Sequence, residues 1–162
     1  MTFDHAFIAP VLLTKGGMTP HKLPLPDEIA DPLREAKTRR LVGTLAGEPF
    51  RLAMHRSRDG FSFLALSRAR MKDLGLAAGD LVPVALSADP EPDRVDLGHE
   101  LVEALGAAPD ARAVWDTLTP GMQRALAYTV TSAKRKSTRE GRAEDVVRRL
   151  RDGTHESLKR RW

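Results

Sequence analysis

The residues of this sequence best suited to chemistry are cations. Lys134, Arg139 and Arg142 crowd into the stretch AKRKSTREGR, and ammonium and guanidinium groups that close can hold a carboxylate or phosphate through charge-assisted hydrogen bonds. On a helical wheel at about 100° per residue, Arg139 falls between Ala143 and Val146, toward the apolar side. A guanidinium at the edge of a core needs acceptors: backbone carbonyls, a carboxylate or a bound anion. Arg40 and Arg51, from the other half of the chain, are expected to reach the same place. Lys134, Arg139, Arg142, Arg40 and Arg51 thus form the expected anion or ligand set, at the junction of two domains. The rival reading of Arg139 is an interdomain anchor. A second set, Lys159, Arg160 and Arg161 in the terminal KRRW, is the least offset by acids and is the expected contact for nucleic acid.

Other chemistries find little footing. The histidines stand at His5, His21, His55, His99 and His155, with no pair at helical ligand spacing, and there is no cysteine, so neither a metal nor a cofactor is expected. No nucleophile elbow, phosphate loop or dinucleotide fingerprint is present, and no Ser, Asp or Glu is singled out by spacing as a catalytic residue. A non-catalytic binding protein is therefore expected, with a small anion or a protein as partner. Nucleic-acid binding is the first alternative, and an enzyme acting on a small metabolite the second.

The elements that must position these cations follow from composition and period. The 162 residues are 41% hydrophobic and 30% charged, which is globular composition with room for a core. Lys134 to Trp162 carries 11 Lys and Arg against 5 Asp and Glu, a net +6, which leaves −2 for the residues before it. Such asymmetry favours a polyanionic partner for the C-terminal part. The absence of cysteine, of a basic leader and of a long apolar run points to a cytoplasmic protein without membrane insertion.

Up to about Asp89, apolar residues alternate or cluster in short runs, the pattern of strands. In TRRLVGTLAGEPFRLAMHR, Leu41, Gly43 and Leu45 share one face before a turn at Ala46-Gly47. A second turn at Arg58-Asp59-Gly60 leads into FSFLALS, and a short helix is expected to stop near Gly75. Pro83 argues for an edge or bulged strand, and Pro32 is expected to limit a helical turn that begins after Pro26. The prolines and acids of ADPEPDRVD mark a linker, which divides the chain into a small β-barrel over residues 1–92 and a helical bundle over residues 93–162, an α+β fold. In the second part Asp96 is expected to cap one helix, Asp110 to start another and Thr119, followed by Pro120, to cap a third. Ser137 and Glu140 have capping-box spacing for a last helix ending at Gly153, with Ala143, Val146, Val147 and Leu150 inward and with Glu144–Arg148 and Asp145–Arg149 pairs outside.

Two motif sets carry a resemblance. The run Val130-x-x-Ala133-Lys134-x-x-x-Thr138-Arg139-x-x-Arg142, ending Leu150-x-x-Gly153, resembles the C-terminal motif of the YdeI/OmpD-associated, bacteriocin-protection family. Arg40, Val42-Gly43-Thr44, Gly47-x-Pro49-Phe50-Arg51, Leu74-Gly75, Gly79-Asp80 and Asp89-x-Glu91-Pro92 resemble the uncharacterised barrel domain that often precedes it. The resemblance implies a double-split, AbrB-like barrel and an association with envelope stress or antimicrobial-peptide resistance. Ser137 stands where relatives often carry Glu, so no role of that carboxylate is implied here.

Overall fold

The computed structural model describes residues 2–15 and 19–156. The chain divides into two compact units, Met1–Pro92 and Asp93–Trp162. The first is a nearly closed antiparallel barrel of seven strands and the second is helical, so the fold is α+β as the periodicities predict.

In the first unit the chain order is β1 (His5–Pro10), β2 (Leu12–Leu13), β3 (His21–Pro24), α1 (Asp27–Glu35), β4 (Arg40–Leu45), β5 (Glu48–Arg56), β6 (Ser62–Leu66), α2 (Arg68–Asp73) and β7 (Leu81–Ala88). The strands lie side by side as β1-β7-β4-β5-β6-β3-β2. Only Val11 separates β1 from β2, so one extended segment supplies both outer strands: its first part pairs with β7 and its last two residues with β3. The two edges of the sheet are thereby the two ends of one strand, which leaves little free edge to template another chain.

Alternation sends Leu41, Leu45, Leu64, Leu66, Val82 and Leu86 into a closed core, each buried. Gly43 is the inward position between Leu41 and Leu45, and a Cβ there would stand 1.9 Å from the Ala85 carbonyl oxygen. Glycine is what allows β4 and β7 to approach. Ala46 (φ 50°) and Gly47 (φ 86°) form the two-residue connection from β4 to β5, the pair of positive φ angles that matches strand twist.

Two expectations about proline are corrected. β7 is not an edge strand, since it lies between β1 and β4. The β4 ladder ends at Leu45 opposite Val84, and the next contact is Ala46 N donating to Pro83 O at 2.9 Å. The missing Pro83 donor therefore faces the hairpin turn, beyond the last rung. Pro32 does not limit α1, which runs to Glu35 with Pro32 inside it. Pro32 is exposed, while Ile29, Ala30 and Leu33 are buried against the barrel; burial of that face outweighs the lost backbone bond.

The second unit comprises α3 (His99–Gly106), α4 (Pro109–Asp116), α5 (Pro120–Thr131) and α6 (Lys136–Asp152). Its core gathers Leu101 and Leu105 from α3, Ala111 and Trp115 from α4, Leu126 and Val130 from α5, and Ala143, Val146, Val147 and Leu150 from α6. The α6 stripe is the one its periodicity predicts. Thr119 caps α5 by accepting from Met122 N, and Gly153 closes α6 in the left-handed conformation.

Elsewhere the caps differ. Gly98, not Asp96, precedes α3; Pro109 occupies the first turn of α4, ahead of Asp110; and α6 begins at Lys136 after Arg135, with no side-chain cap from Ser137. The capping-box spacing at Ser137 lies inside the helix, one residue past its start. Among the described residues, no helix is long and apolar enough to cross a membrane.

Candidate functional site

The three C-terminal cations gather at the corner where α5 turns into α6. Arg139 lies in the first turn of α6 on the apolar side, as the wheel predicts, with 27% of its side chain exposed. Its Nε donates to Glu100 Oε1 at 2.8 Å, and its Nη1 donates to the carbonyls of Lys134 at 2.8 Å and Ala133 at 3.2 Å. One turn on, Arg142 Nη1 donates to Thr129 O at 2.8 Å. Residues at the end of a helix have carbonyls without intrahelical partners, and these two guanidinium groups satisfy carbonyls in the last turn of α5 and just after it. Lys134 takes part through its backbone carbonyl, and the residue is exposed.

Glu100 is the partner that sequence reasoning did not name. It sits in the first turn of α3 beside Leu101, with its side chain only 8% exposed. The hydrogen bond from Arg139 holds its carboxyl below the ordinary value, against the cost of desolvation. An acid next to an inward leucine in a first turn is the available signal. It does not reveal which distant arginine answers it.

Arg40 and Arg51 form a separate set within the barrel. Register places Arg51 opposite Val42 in the β4–β5 pair, and Asp89 N donates to Arg40 O at 2.9 Å, so the three side chains share a face. Arg51 grips Asp89 with two nitrogens, Nη2 to Oδ1 and Nε to Oδ2, both at 2.9 Å. Arg40 Nε stands 3.9 Å from Asp89 Oδ2, and Arg40 Nη2 donates to Arg51 O at 3.2 Å. The Asp89 side chain is fully buried, and its Oδ1 also accepts from Glu91 N at 2.9 Å. This arrangement fastens the end of β7 to the middle of the sheet.

The rest of α6 distributes its charges locally. Arg149 donates to Asp145 at 2.9 Å as its spacing predicts, whereas Arg148 turns to Asp145 and Asp152 instead of Glu144. Burial raises the cost of ionising Asp145, and the hydrogen bonds from Arg148 and Arg149 outweigh it, so its carboxyl lies below the ordinary value. Arg151 reaches back to α4 and grips Asp110 at 2.7 and 3.0 Å, which lowers the Asp110 carboxyl to about 2. Between α3 and α6 runs an open groove of about 530 Å³, with Ala104, Ala107, Ala108 and Val147 in its lining beside Glu100, Glu103, Glu140 and Glu144. Arg148 and Arg151 also line it.

Residues 95–153 match the family described as Bacteriocin-protection, YdeI or OmpD-Associated, and residues 7–86 match a domain of unknown function, DUF1905. The chain joins a DUF1905 domain to a YdeI/OmpD-associated domain. Neither a curated protein nor a solved structure matches it. The YdeI/OmpD-associated match relates the chain to bacteriocin protection as an accessory protein, and neither family description names an enzyme.

In the YdeI/OmpD-associated domain the motif residues Arg139 and Arg142 tie α6 to α5 and α3. In the barrel the motif residues Arg40 and Arg51, within the DUF1905 match, make one network with Asp89, three residues beyond it. The other predicted cations, Lys159, Arg160 and Arg161, lie outside the described residues. No group of three or more His, Asp or Glu that could hold a metal ion occurs among the described residues.

Proposed function

We propose that the chain is a non-catalytic binding protein in bacteriocin protection, and that its YdeI/OmpD-associated domain receives a basic, amphipathic protein segment in the groove between α3 and α6. The lining of that groove carries the reading. Small apolar side chains from both helices lie beside four glutamates, and Glu144, unlike Glu100, makes no ion pair among the described residues. A segment with small apolar residues along one side and Lys or Arg along the other matches both features. Arg139 and Arg142 then serve as the clamp that fixes the two helices at the right spacing. An anion drawing on Lys134, Arg139, Arg142, Arg40 and Arg51 would have to displace Glu100 and Asp89 from guanidinium groups they already hold, which is why the clamp is favoured over the ligand role.

The test is titration of the full chain with a lysine-rich amphipathic peptide at two salt concentrations. Binding should weaken with salt and disappear in Glu103→Lys/Glu144→Lys, while Ser137→Ala leaves it unchanged. If the wild-type chain ignores the peptide but takes up a small anion in a way that Arg139→Lys abolishes, the arginine set is the site and the groove is not.

A further inference from the structure

We propose that the DUF1905 barrel binds a small phosphorylated ligand in an open groove where the C-terminal end of α1 meets the last residues of β5. This lies outside the arginine network on Asp89 and outside the α3–α6 groove. The groove is about 470 Å³, and its lining includes Arg34, Lys37, Arg39 and Arg56 with the hydroxyl residues Thr38 and Ser62, and no carboxylate. That volume falls in the ~300–1,000 Å³ range of small-ligand sites.

Convergence is the first argument. The β5–β6 register sets Arg56 opposite Ser62, and Arg34 Nη1 reaches the Ser62 hydroxyl from α1 at 3.5 Å. Ser62 is 1% exposed, so Arg34 reaches from α1 to a buried hydroxyl on the strand residue that faces Arg56 in the ladder. Arg34 is shared with Asp31, but neither Lys37 nor Arg56 meets a carboxylate among the described residues. Lys37 and Arg56 add like charge beside Arg34, and a phosphoryl group relieves that repulsion while accepting several hydrogen bonds.

Backbone strain at Lys37 is the second. Lys37 has φ 57°, with its N–H donating to Arg34 O and the next N–H, of Thr38, donating to Leu33 O, both at 2.9 Å. This is the left-handed closure of a helix, a position that suits glycine and costs any other side chain. A lysine held there lines the groove at the expense of backbone comfort, a pattern associated with functional positions. The negative end of the α1 dipole accounts for cations on α1 itself, but not for Arg56, which comes from a strand.

The neighbouring surface adds polar and aromatic character. His55, also in the lining, stacks on Phe63 at 5.5 Å, and Lys22 lies over the same ring at 4.6 Å. Burial holds the His55 imidazole below its ordinary value, so near neutral pH it serves as an uncharged hydrogen-bonding group. The cations line one groove from a helix end and a strand end instead of forming a stripe, which fits the phosphoryl group of a small molecule better than a polymer backbone.

The experiment titrates the full chain with pyrophosphate, ADP and a single-stranded oligonucleotide, each at low and moderate salt. Pyrophosphate and ADP should bind, and Arg56→Gln should weaken both about tenfold or more. Lys37→Gly is the decisive variant, because it removes the ammonium and relieves the backbone: binding should weaken similarly while the melting temperature does not fall. Failure of both pyrophosphate and ADP to bind at low salt overturns the proposal, as does binding that neither variant changes. Oligonucleotide binding far tighter than ADP and steeply salt-dependent overturns the small-ligand assignment in favour of nucleic acid. None of these outcomes depends on the α3–α6 groove, whose own test uses a peptide and different residues.

Discussion

The last helix of the YdeI/OmpD-associated domain and the α1–β5 corner of the barrel make an instructive pair. α6 belongs to the most basic part of the chain, yet its described arginines are turned to internal use: Arg139 on Glu100, Arg142 on Thr129 O, Arg148 and Arg149 on Asp145, and Arg151 on Asp110. The barrel is close to neutral by sequence, with 12 Lys and Arg against 11 Asp and Glu over residues 1–92, and it holds a groove whose lining carries only positive charge. Net charge along a sequence measures how many cations there are. Whether they are available to a ligand depends on where the acids fold to.

That contrast can be broken at several points, beginning with the largest effect. Arg51→Ala should cost about 3–5 kcal/mol in urea denaturation of the barrel, because it leaves the buried Asp89 carboxylate without its principal partner. A cost near zero would mean that water replaces the guanidinium and that this network is not structural. Arg139→Ala should give the next largest loss, confined to the helical domain and matched by Glu100→Gln, since each leaves the other group unanswered at the edge of the core. If Arg139→Ala is silent, the clamp is wrong.

The acid limb sharpens the same point. Asp110 is lowered from 3.8 to about 2 by Arg151, and Glu100 is lowered by Arg139. Folded values below the unfolded ones stabilise the fold above the ordinary carboxylate range, and that contribution is lost as pH falls through the folded value. Helical signal should therefore weaken between about pH 4 and pH 2, and Arg151→Ala should remove the part of the slope that belongs to Asp110.

The smaller effects separate fold from binding. Lys37→Gly should leave stability unchanged or raise it by up to about 1 kcal/mol, in contrast to its effect on phosphate affinity. Arg148→Ala, at an exposed position between two acids, should change stability by less than about 0.5 kcal/mol. A large loss there would show that the polar face of α6 does more than solvate.

Local signals proved readable where the physics is local. The alternation of Leu41, Gly43 and Leu45, the stripe from Ala143 to Leu150, the Thr119 cap and the Gly153 stop each depend on residues within one or two turns or strands. Pro32 and Pro83 were misleading for the complementary reason. The penalty for a proline is local, but whether it matters depends on what the helix buries or where the ladder ends, and both are tertiary facts. The candidate site divides the same way. The inward placement of Arg139 follows from a wheel, while its partner Glu100 lies 39 residues away in sequence. The groove of Arg34, Lys37 and Arg56 carried no motif at all, because its members come from a helix end and a strand end that only the barrel brings side by side.

By itself, then, the sequence determined the α+β order of the chain, the stripes that form its two cores and the two families its motifs resemble, since each is written in residue type and short-range period. Tertiary structure alone decided which cations are consumed and which remain exposed to a ligand. Charge pairing acts through space over a few ångströms, and strand register and helix packing set those distances between residues that the sequence holds far apart.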